Sequence, residues 1–371
     1  MLTTRLVRRA VAASPAVLLS IAICGLSSCD GGPSSGVRVT QFTTPASSVQ
    51  DFAARLDQLR NDLKMPGMAA VIAIDQRVAW SSGFGLADVE NRRNATPTTT
   101  YHLASLTKTF CATVLLQLAE EGRVTLEDPV SQYGVPLTSS GTIRVKHLLS
   151  HTSQGTPGAQ YIYNGDRFAH LSAVVAGASG RSFGELASER ILRMLGLLNT
   201  APNVDSIDFA YAQLDRQVFS ANIAQPYEIT ASGNVVAGSY PTGFNCAAGM
   251  MGSAVDVAQY SMAMDRDGLL LPATKNLAWT NFILNSGARA PYGLGWFVQD
   301  IGGTKVVWHY GLWTANSSLI IKVPERGLTF VLLANTDRLS RDWDLSSGDV
   351  MVSPFAREFV NAFVTGSTPI P

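Results

Sequence analysis

The chain has 371 residues, 46% of them hydrophobic and 15% charged, with 28 basic and 28 acidic side chains. That is a globular composition with ample apolar content for a buried core. A formal charge of zero, with no long run of one sign, argues against a nucleic-acid partner.

The first segment reads as a targeting sequence. "MLTTRLVRR" is basic and free of acids, "AVAASPAVLLSIAICGL" is apolar, and "LSSC" ends at Cys29 before the linker-like "DGGPSSG". This pattern resembles a bacterial lipoprotein signal, in which residues 1–28 are removed and Cys29 is lipidated. The alternatives are an ordinary cleaved signal or an uncleaved anchor, although the apolar run is short for a span and contains Pro15. Removal of 1–28 takes Arg5, Arg8 and Arg9 with it, leaving 25 basic against 28 acidic residues. The expectation is a domain exported to the bacterial cell envelope and tethered there by lipid, with residues 29–45 as a flexible linker.

Residues 47–63 place Phe52, Leu56, Leu59 and Leu63 at helical spacing, with Ser47 or Ser48 as N-cap. "MAAVIAI" suits a buried strand, and "QRVAWSSGFG" its hairpin partner across a turn near Asp75-Gln76. From about 101 to 285 helical patterns alternate with loops, and 200–245 reads as irregular surface loop. The C-terminal part changes character. "YGLGWFVQD", "KVVWHYG", "ANSSLIIKV" and "LTFVLLAN" are four short strands with tight connections, an antiparallel meander, followed by the amphipathic "VSPFAREFVNAFV". The order predicts an α/β (α+β) fold: an antiparallel sheet built from residues 46–100 and 286–371 and flanked by N- and C-terminal helices. A mainly helical domain, 101–285, is inserted between the two halves. A cleft between them is the natural place for a site.

Four cysteines are present, of which Cys24 lies in the signal and Cys29 is the expected lipid site. In an exported protein Cys111 and Cys246 could pair. Because Cys111 falls on the apolar face of its helix, the expectation is two buried thiols. No His-Glu-x-x-His or paired Cys/His spacing marks a metal site, and no cofactor is implied.

The chemistry concentrates at "YHLASLTKTFCATVLLQLAEEG", residues 101–122. Ser105 and Lys108 share one helix face three residues apart. The helix N-terminus favours an anion near Ser105, and a desolvated lysine can take a serine proton if its pKa is drawn toward neutrality. Phe110, Val114 and Leu118 then recur every four residues as core. On its own Ser-x-x-Lys is equally a polar first turn on a buried helix.

The wider pattern narrows the choice. The segment from Tyr101 to Tyr133, together with "IRVKHLLSHTSQG", "PGAQYIYNGDRFAHLSAVVAGASGRSF", "PYGLGWFVQ", "VVWHYG" and "PERGLTFVLLAN", resembles the serine β-lactamase and penicillin-binding-protein superfamily. The likeness is to its class C-like branch, which includes D-stereospecific peptidases and carboxylesterases, and it covers nearly all of the mature chain. The resemblance implies a β-lactamase/transpeptidase-like fold and a catalytic set of Ser105, Lys108 and Tyr163. It also implies an oxyanion hole from the backbone N–H groups of Ser105 and Leu312, and a strand His309-Tyr310-Gly311 lining the substrate. Gly311 is expected to keep that strand clear for substrate, and His309 to tune Tyr163 or bind a substrate carboxylate. Whether Lys108 or Tyr163 is the general base stays open. His102, His147, His151 and His170 read as capping or core residues.

One motif departs from the family. Gly165 stands where a Tyr-x-Asn asparagine is expected; Asn164 is adjacent, and Asp166 is a possible partner for Lys108. The segment after "HTSQG" is also short, which opens that edge of the cleft. The expected activity is a serine hydrolase acting on small esters, D-amino-acid peptides or peptidoglycan stems, and weakly on β-lactams. The rivals are a non-catalytic envelope-binding protein on the same fold and a true class C-like β-lactamase.

Overall fold

Two faces of one sheet carry two different helical layers, and their junction places the site. The computed structural model describes residues 39–371; the signal segment and Cys29 lie outside the described residues. The central sheet has seven strands: β1 (Gly67–Ile74), β2 (Arg77–Asp88), β3 (Arg93–Asn94), β4 (Phe297–Ile301), β5 (Thr304–Trp313), β6 (Asn316–Val323) and β7 (Leu328–Ala334). Their order is β3-β2-β1-β7-β6-β5-β4, with every neighbouring pair antiparallel. The two ends of the chain meet at the β1–β7 ladder, where Val71 faces Val331. The β1–β2 hairpin turns at Asp75 and Gln76, both with positive φ (51° and 65°), the geometry of a tight hairpin turn.

Helix α1 (Val49–Asp62) begins at Ser48, whose hydroxyl accepts the Asp51 N–H at 3.1 Å. Phe52, Leu56 and Leu59 pack onto one face of the sheet with Met68, Ala70, Ile72 and Phe330. Phe355, Phe359 and Phe363 from the C-terminal helical turns join them. Phe52, fully buried with its ring 5.6 Å from that of Phe330, contributes roughly 2–3 kcal/mol by leaving water. Alternate residues of the same strands, Ala69, Val71, Val307, Ile320 and Val331, point to the opposite face. There they meet helix α2 (Thr107–Glu120) through Phe110 and Val114, and helix α4 (Ala254–Asp265) through Val257 and Tyr260. Between these two helices in sequence lies the short α3 (Gly165–Ala169).

Two features differ from the sequence reading. The stretch 200–245 contains helical turns at Ile207–Ala212 and Arg216–Asn222, and a small hairpin pairing Tyr227–Ile229 with Val235–Ala237. Its periodicity is weak because each element is too short for a repeating pattern. The second is a correction. Cys111 and Cys246 are not two thiols but a disulfide with Cα atoms 5.2 Å apart. An apolar helix face does not argue against a disulfide, since both sulfurs here are fully buried inside the core between α2 and the Cys246 turn.

Candidate active site

Ser105 sits in a single helical turn, Ala104–Leu106, that runs directly into α2. The turn is held rather than hung in solvent. The Leu103 N–H donates to the Met250 carbonyl at 2.8 Å, and the Leu103 carbonyl accepts the Ser318 hydroxyl of β6 at 2.7 Å. The Ala104 N–H donates to His102 Nδ1 at 3.0 Å. Ala104 itself adopts φ of 48°, a left-handed conformation uncommon outside glycine and tolerated where the surroundings enforce it.

Lys108 lies one turn further on, fully buried. Its Nζ donates to Ser105 Oγ at 2.8 Å and to the Ala247 carbonyl at 3.0 Å, and stands 5.1 Å from the Tyr163 ring centroid. Burial pulls the amine down to about 7, and only the nearby Asp166 carboxylate works against that. A second buried lysine makes the contrast. Lys322 is equally buried, but its Nζ has the Asp265 carboxylate at 3.0 Å, whereas Lys108 hydrogen-bonds only a hydroxyl and a carbonyl. A lysine packed away from water without a carboxylate in hydrogen-bond contact favours its neutral form, which is the form that accepts a proton.

Tyr163 is enclosed by aromatic side chains: Tyr310, Phe297 and His151 have ring centroids 5.7, 5.8 and 4.3 Å from its own. Its buried hydroxyl makes no hydrogen bond within the geometric limits. Burial pushes the phenol well above its ordinary value; Tyr310 adds to this, and the Ser105 hydroxyl opposes it. Tyr163 is therefore a neutral phenol near pH 7.

The remaining residues singled out by sequence divide sharply. Leu312 is 38% exposed and, with Ser105, Lys108, Gly165, Asp166 and Trp313, lines a pocket of about 220 Å³. His309 is buried. Its Nε2 meets the Tyr292 hydroxyl at 2.8 Å and its Nδ1 the Tyr310 carbonyl at 2.7 Å. Burial holds this imidazole well below its usual range, so it is uncharged, and it lies behind the pocket rather than in its lining. Tyr310 is nearly buried and packs beside Tyr163.

Gly311 has a different neighbour from the one expected. A Cβ there would stand 2.3 Å from both the Leu103 carbonyl and Ser318 Oγ, and 3.0 Å from Ala104 Cβ. The missing side chain lets β5 lie against the very turn that carries Ser105. Asn164 is the N-cap of α3: its Oδ1 accepts the Arg167 N–H at 2.9 Å and its Nδ2 donates to Gln154 at 2.8 Å. Its side chain is spent on the Arg167 N–H and the Gln154 side chain and does not line the pocket. Gly165 does line it, and a Cβ there would come within 3.8 Å of Lys108 Nζ.

Sequence reasoning missed the turn Asn245–Ala248. Asn245, Ala247 and Ala248 line the pocket, and the Ala247 carbonyl is the second partner of Lys108. The two cysteines were the available signal, since Cys246 adjoins Ala247 and its disulfide pins the turn to α2. His147 and His151 act as the capping and core residues expected, accepting the Arg144 and Asn164 N–H groups at 3.1 Å each. A cavity of about 240 Å³ near Trp279, Arg289 and Lys305 contains no serine, cysteine or histidine.

An antiparallel sheet backed by terminal helices, with a helical layer presenting Ser-x-x-Lys at its junction, defines the class of β-lactamase-fold serine hydrolases. The match to the family described as Beta-lactamase covers residues 52–346, and the chain belongs to that family. Penicillin-binding protein 4* of Bacillus subtilis (strain 168) is 23% identical over 302 residues, 70% of this chain and 66% of that protein. The chain thus spans just under two thirds of that relative's length. Among solved structures, a D-stereospecific amidohydrolase from Streptomyces sp. superposes with a TM-score of 0.62 at 22% identity, covering 82% of this chain and 95% of the other. EstCE1, described as a hydrolase with promiscuous acyltransferase activity, gives 0.66 at 20% identity, covering 85% and 98%. At these identities the two structures establish the shared fold.

Proposed function

We propose that the protein is a serine hydrolase that cleaves an ester or amide through an acyl-enzyme on Ser105. The observation that carries this reading is the 2.8 Å contact between Ser105 Oγ and a buried Lys108 whose amine is drawn down to about 7. In its neutral form Lys108 takes the Ser105 proton as the oxygen attacks the substrate carbonyl. Tyr163, held as a neutral phenol against the same serine, suits proton donation to the leaving group better than the role of base. Lys108 is therefore the base in the free enzyme. The backbone N–H groups of Ser105 and Leu312, both lining residues of the pocket, serve as oxyanion donors. Water then hydrolyses the acyl-enzyme by the same proton path in reverse. Every group required is a side chain or amide of the protein.

With Asn164 occupied and Gly165 bare, the second motif itself contributes no side-chain amide to the pocket. That supports small esters ahead of penicillins, with D-amino-acid peptides and peptidoglycan stems as further candidates. The buried disulfide fits an oxidising compartment, which supports export to the envelope; the lipid anchor at Cys29 rests on the sequence pattern.

The test uses the purified domain with a fluorophosphonate probe and a chromogenic short-chain ester, beside Ser105→Ala. Wild type should label and turn over, and Ser105→Ala should do neither. Equal labelling and turnover by Ser105→Ala would falsify the assignment. Mass spectrometry of the mature N-terminus should show a diacylglyceryl adduct on Cys29; an intact Met1 would sink the anchor.

A further inference from the structure

Among the described residues, Asp166 is the only acidic side chain in the wall of the Ser105 pocket, and it is unspent. It is exposed, lines the pocket beside Gly165, and is absent from the hydrogen bonds and ion pairs of the described residues. Its neighbours behave differently. Asn164 caps α3, and Arg167 donates to the hydroxyl and carbonyl of Ser153 at 2.8 and 2.7 Å, turned away from the pocket.

The rest of the wall offers nothing for an anion. Apart from Lys108 it consists of Ser105, Asn245, small residues, Leu312 and Trp313. Lys108 is buried with its amine drawn toward neutrality. The imidazoles of His309 and His151 are buried and held uncharged. A substrate carboxylate would thus enter a pocket whose one accessible formal charge is negative. A substrate ammonium would find a free carboxylate, and Gly165 next to it puts no side chain beside Lys108 Nζ, where a Cβ would stand 3.8 Å away.

We propose that Asp166 is a specificity-determining residue that selects acyl donors carrying a protonated amine next to the scissile carbonyl: esters or amides of amino acids with a free amino group. This inference rests on Ser105 being the nucleophile. The ammonium pairs with Asp166 at the rim, and the apolar side chain of the substrate lies toward Leu312 and Trp313. Pairing also withdraws the Asp166 charge from Lys108, which favours the neutral amine that accepts the Ser105 proton.

Three matched methyl esters test this: those of phenylalanine (each enantiomer), of 3-phenylpropionic acid, and the monomethyl ester of benzylmalonic acid. They differ in bearing an ammonium, a hydrogen or a carboxylate at one carbon. The expected order of kcat/KM is amine, then neutral, then carboxylate. Asp166→Asn should lower the amine-to-neutral ratio by roughly fivefold, the scale of a solvent-accessible ion pair, and Asp166→Glu should retain most of it. An amine-to-neutral ratio near one in wild type, or a ratio unmoved by Asp166→Asn, overturns the proposal while the neutral ester's turnover upholds the hydrolase reading. Fluorophosphonate labelling of Ser105 with none of the esters hydrolysed overturns the substrate class alone. Neither labelling nor hydrolysis removes the hydrolase reading and this inference with it.

Discussion

Cys111 and Cys246 join the helix of the candidate nucleophile to the turn that receives its base. Cys111 lies three residues beyond Lys108 on α2, and Cys246 immediately precedes Ala247, whose carbonyl takes the Lys108 hydrogen bond at 3.0 Å. One covalent bond therefore fixes both ends of that contact. With the cysteines 135 positions apart in sequence, its loss should cost about 2–5 kcal/mol of stability. Cys111→Ala/Cys246→Ala should show this as a lower denaturation midpoint, with a drop in kcat at temperatures where the variant stays folded. A variant with unchanged midpoint and kcat would refute this role.

Lys108 sets the pH dependence. Its amine, lowered by burial to about 7, is protonated below that pH and cannot accept the Ser105 proton. For a neutral ester, kcat/KM should fall on the acid side with a midpoint near 7 and level off above it. His309 and His151 contribute nothing to that limb, since burial holds both well below their usual range. Lys108→Met should remove the limb and lower kcat by about 10²–10⁴. A profile flat from pH 5 to 9 in wild type would exclude Lys108 as base.

Gly311→Ala puts a methyl group 2.3 Å from the Leu103 carbonyl and Ser318 Oγ, both well inside contact distance. Either β5 or the Ser105 turn must move. The variant should lose about 1–3 kcal/mol of stability and most of its esterase activity. The check is thermal unfolding together with fluorophosphonate labelling rate; full labelling in a fully stable variant would contradict the packing argument.

Asn164→Ala tests the cap. Loss of the bond to the Arg167 N–H should cost about 1 kcal/mol, read by denaturation, with KM for a small ester nearly unchanged because the side chain faces Gln154. A large rise in KM would restore Asn164 to the binding surface. Gly165→Asn is the complementary change. The new Cβ would stand 3.8 Å from Lys108 Nζ, an ordinary contact, and should raise amide turnover relative to ester turnover.

Much of the fold was legible because it rests on periodicity. Helix α1, the hairpin at Asp75-Gln76 and the four C-terminal strands follow from local repeats and turn residues, which the chain carries whatever its partners. The Ser105–Lys108 pair was legible for the same reason: i and i+3 on a helix are neighbours by geometry. Gly311 and Asn164 were found as positions but without the contacts the structure gives them, since what a glycine accommodates or an amide bonds depends on the folded surroundings. Leu103 stands more than 200 residues before Gly311.

The sequence by itself determined the elements, their order, the family pattern and the candidate nucleophile with its lysine. Only the tertiary structure decided that Lys108 is buried without a carboxylate in hydrogen-bond contact, the state the proposed base requires. The two buried lysines, Lys108 and Lys322, differ in having or lacking a carboxylate within hydrogen-bond reach, which their sequence positions do not show. Tertiary packing likewise closed Cys111 onto Cys246, buried His309 behind Tyr292, and left the Asp166 carboxylate free at the rim. Each of these depends on desolvation and on distances across the chain, which are set when the sheet and the helical layer close on one another.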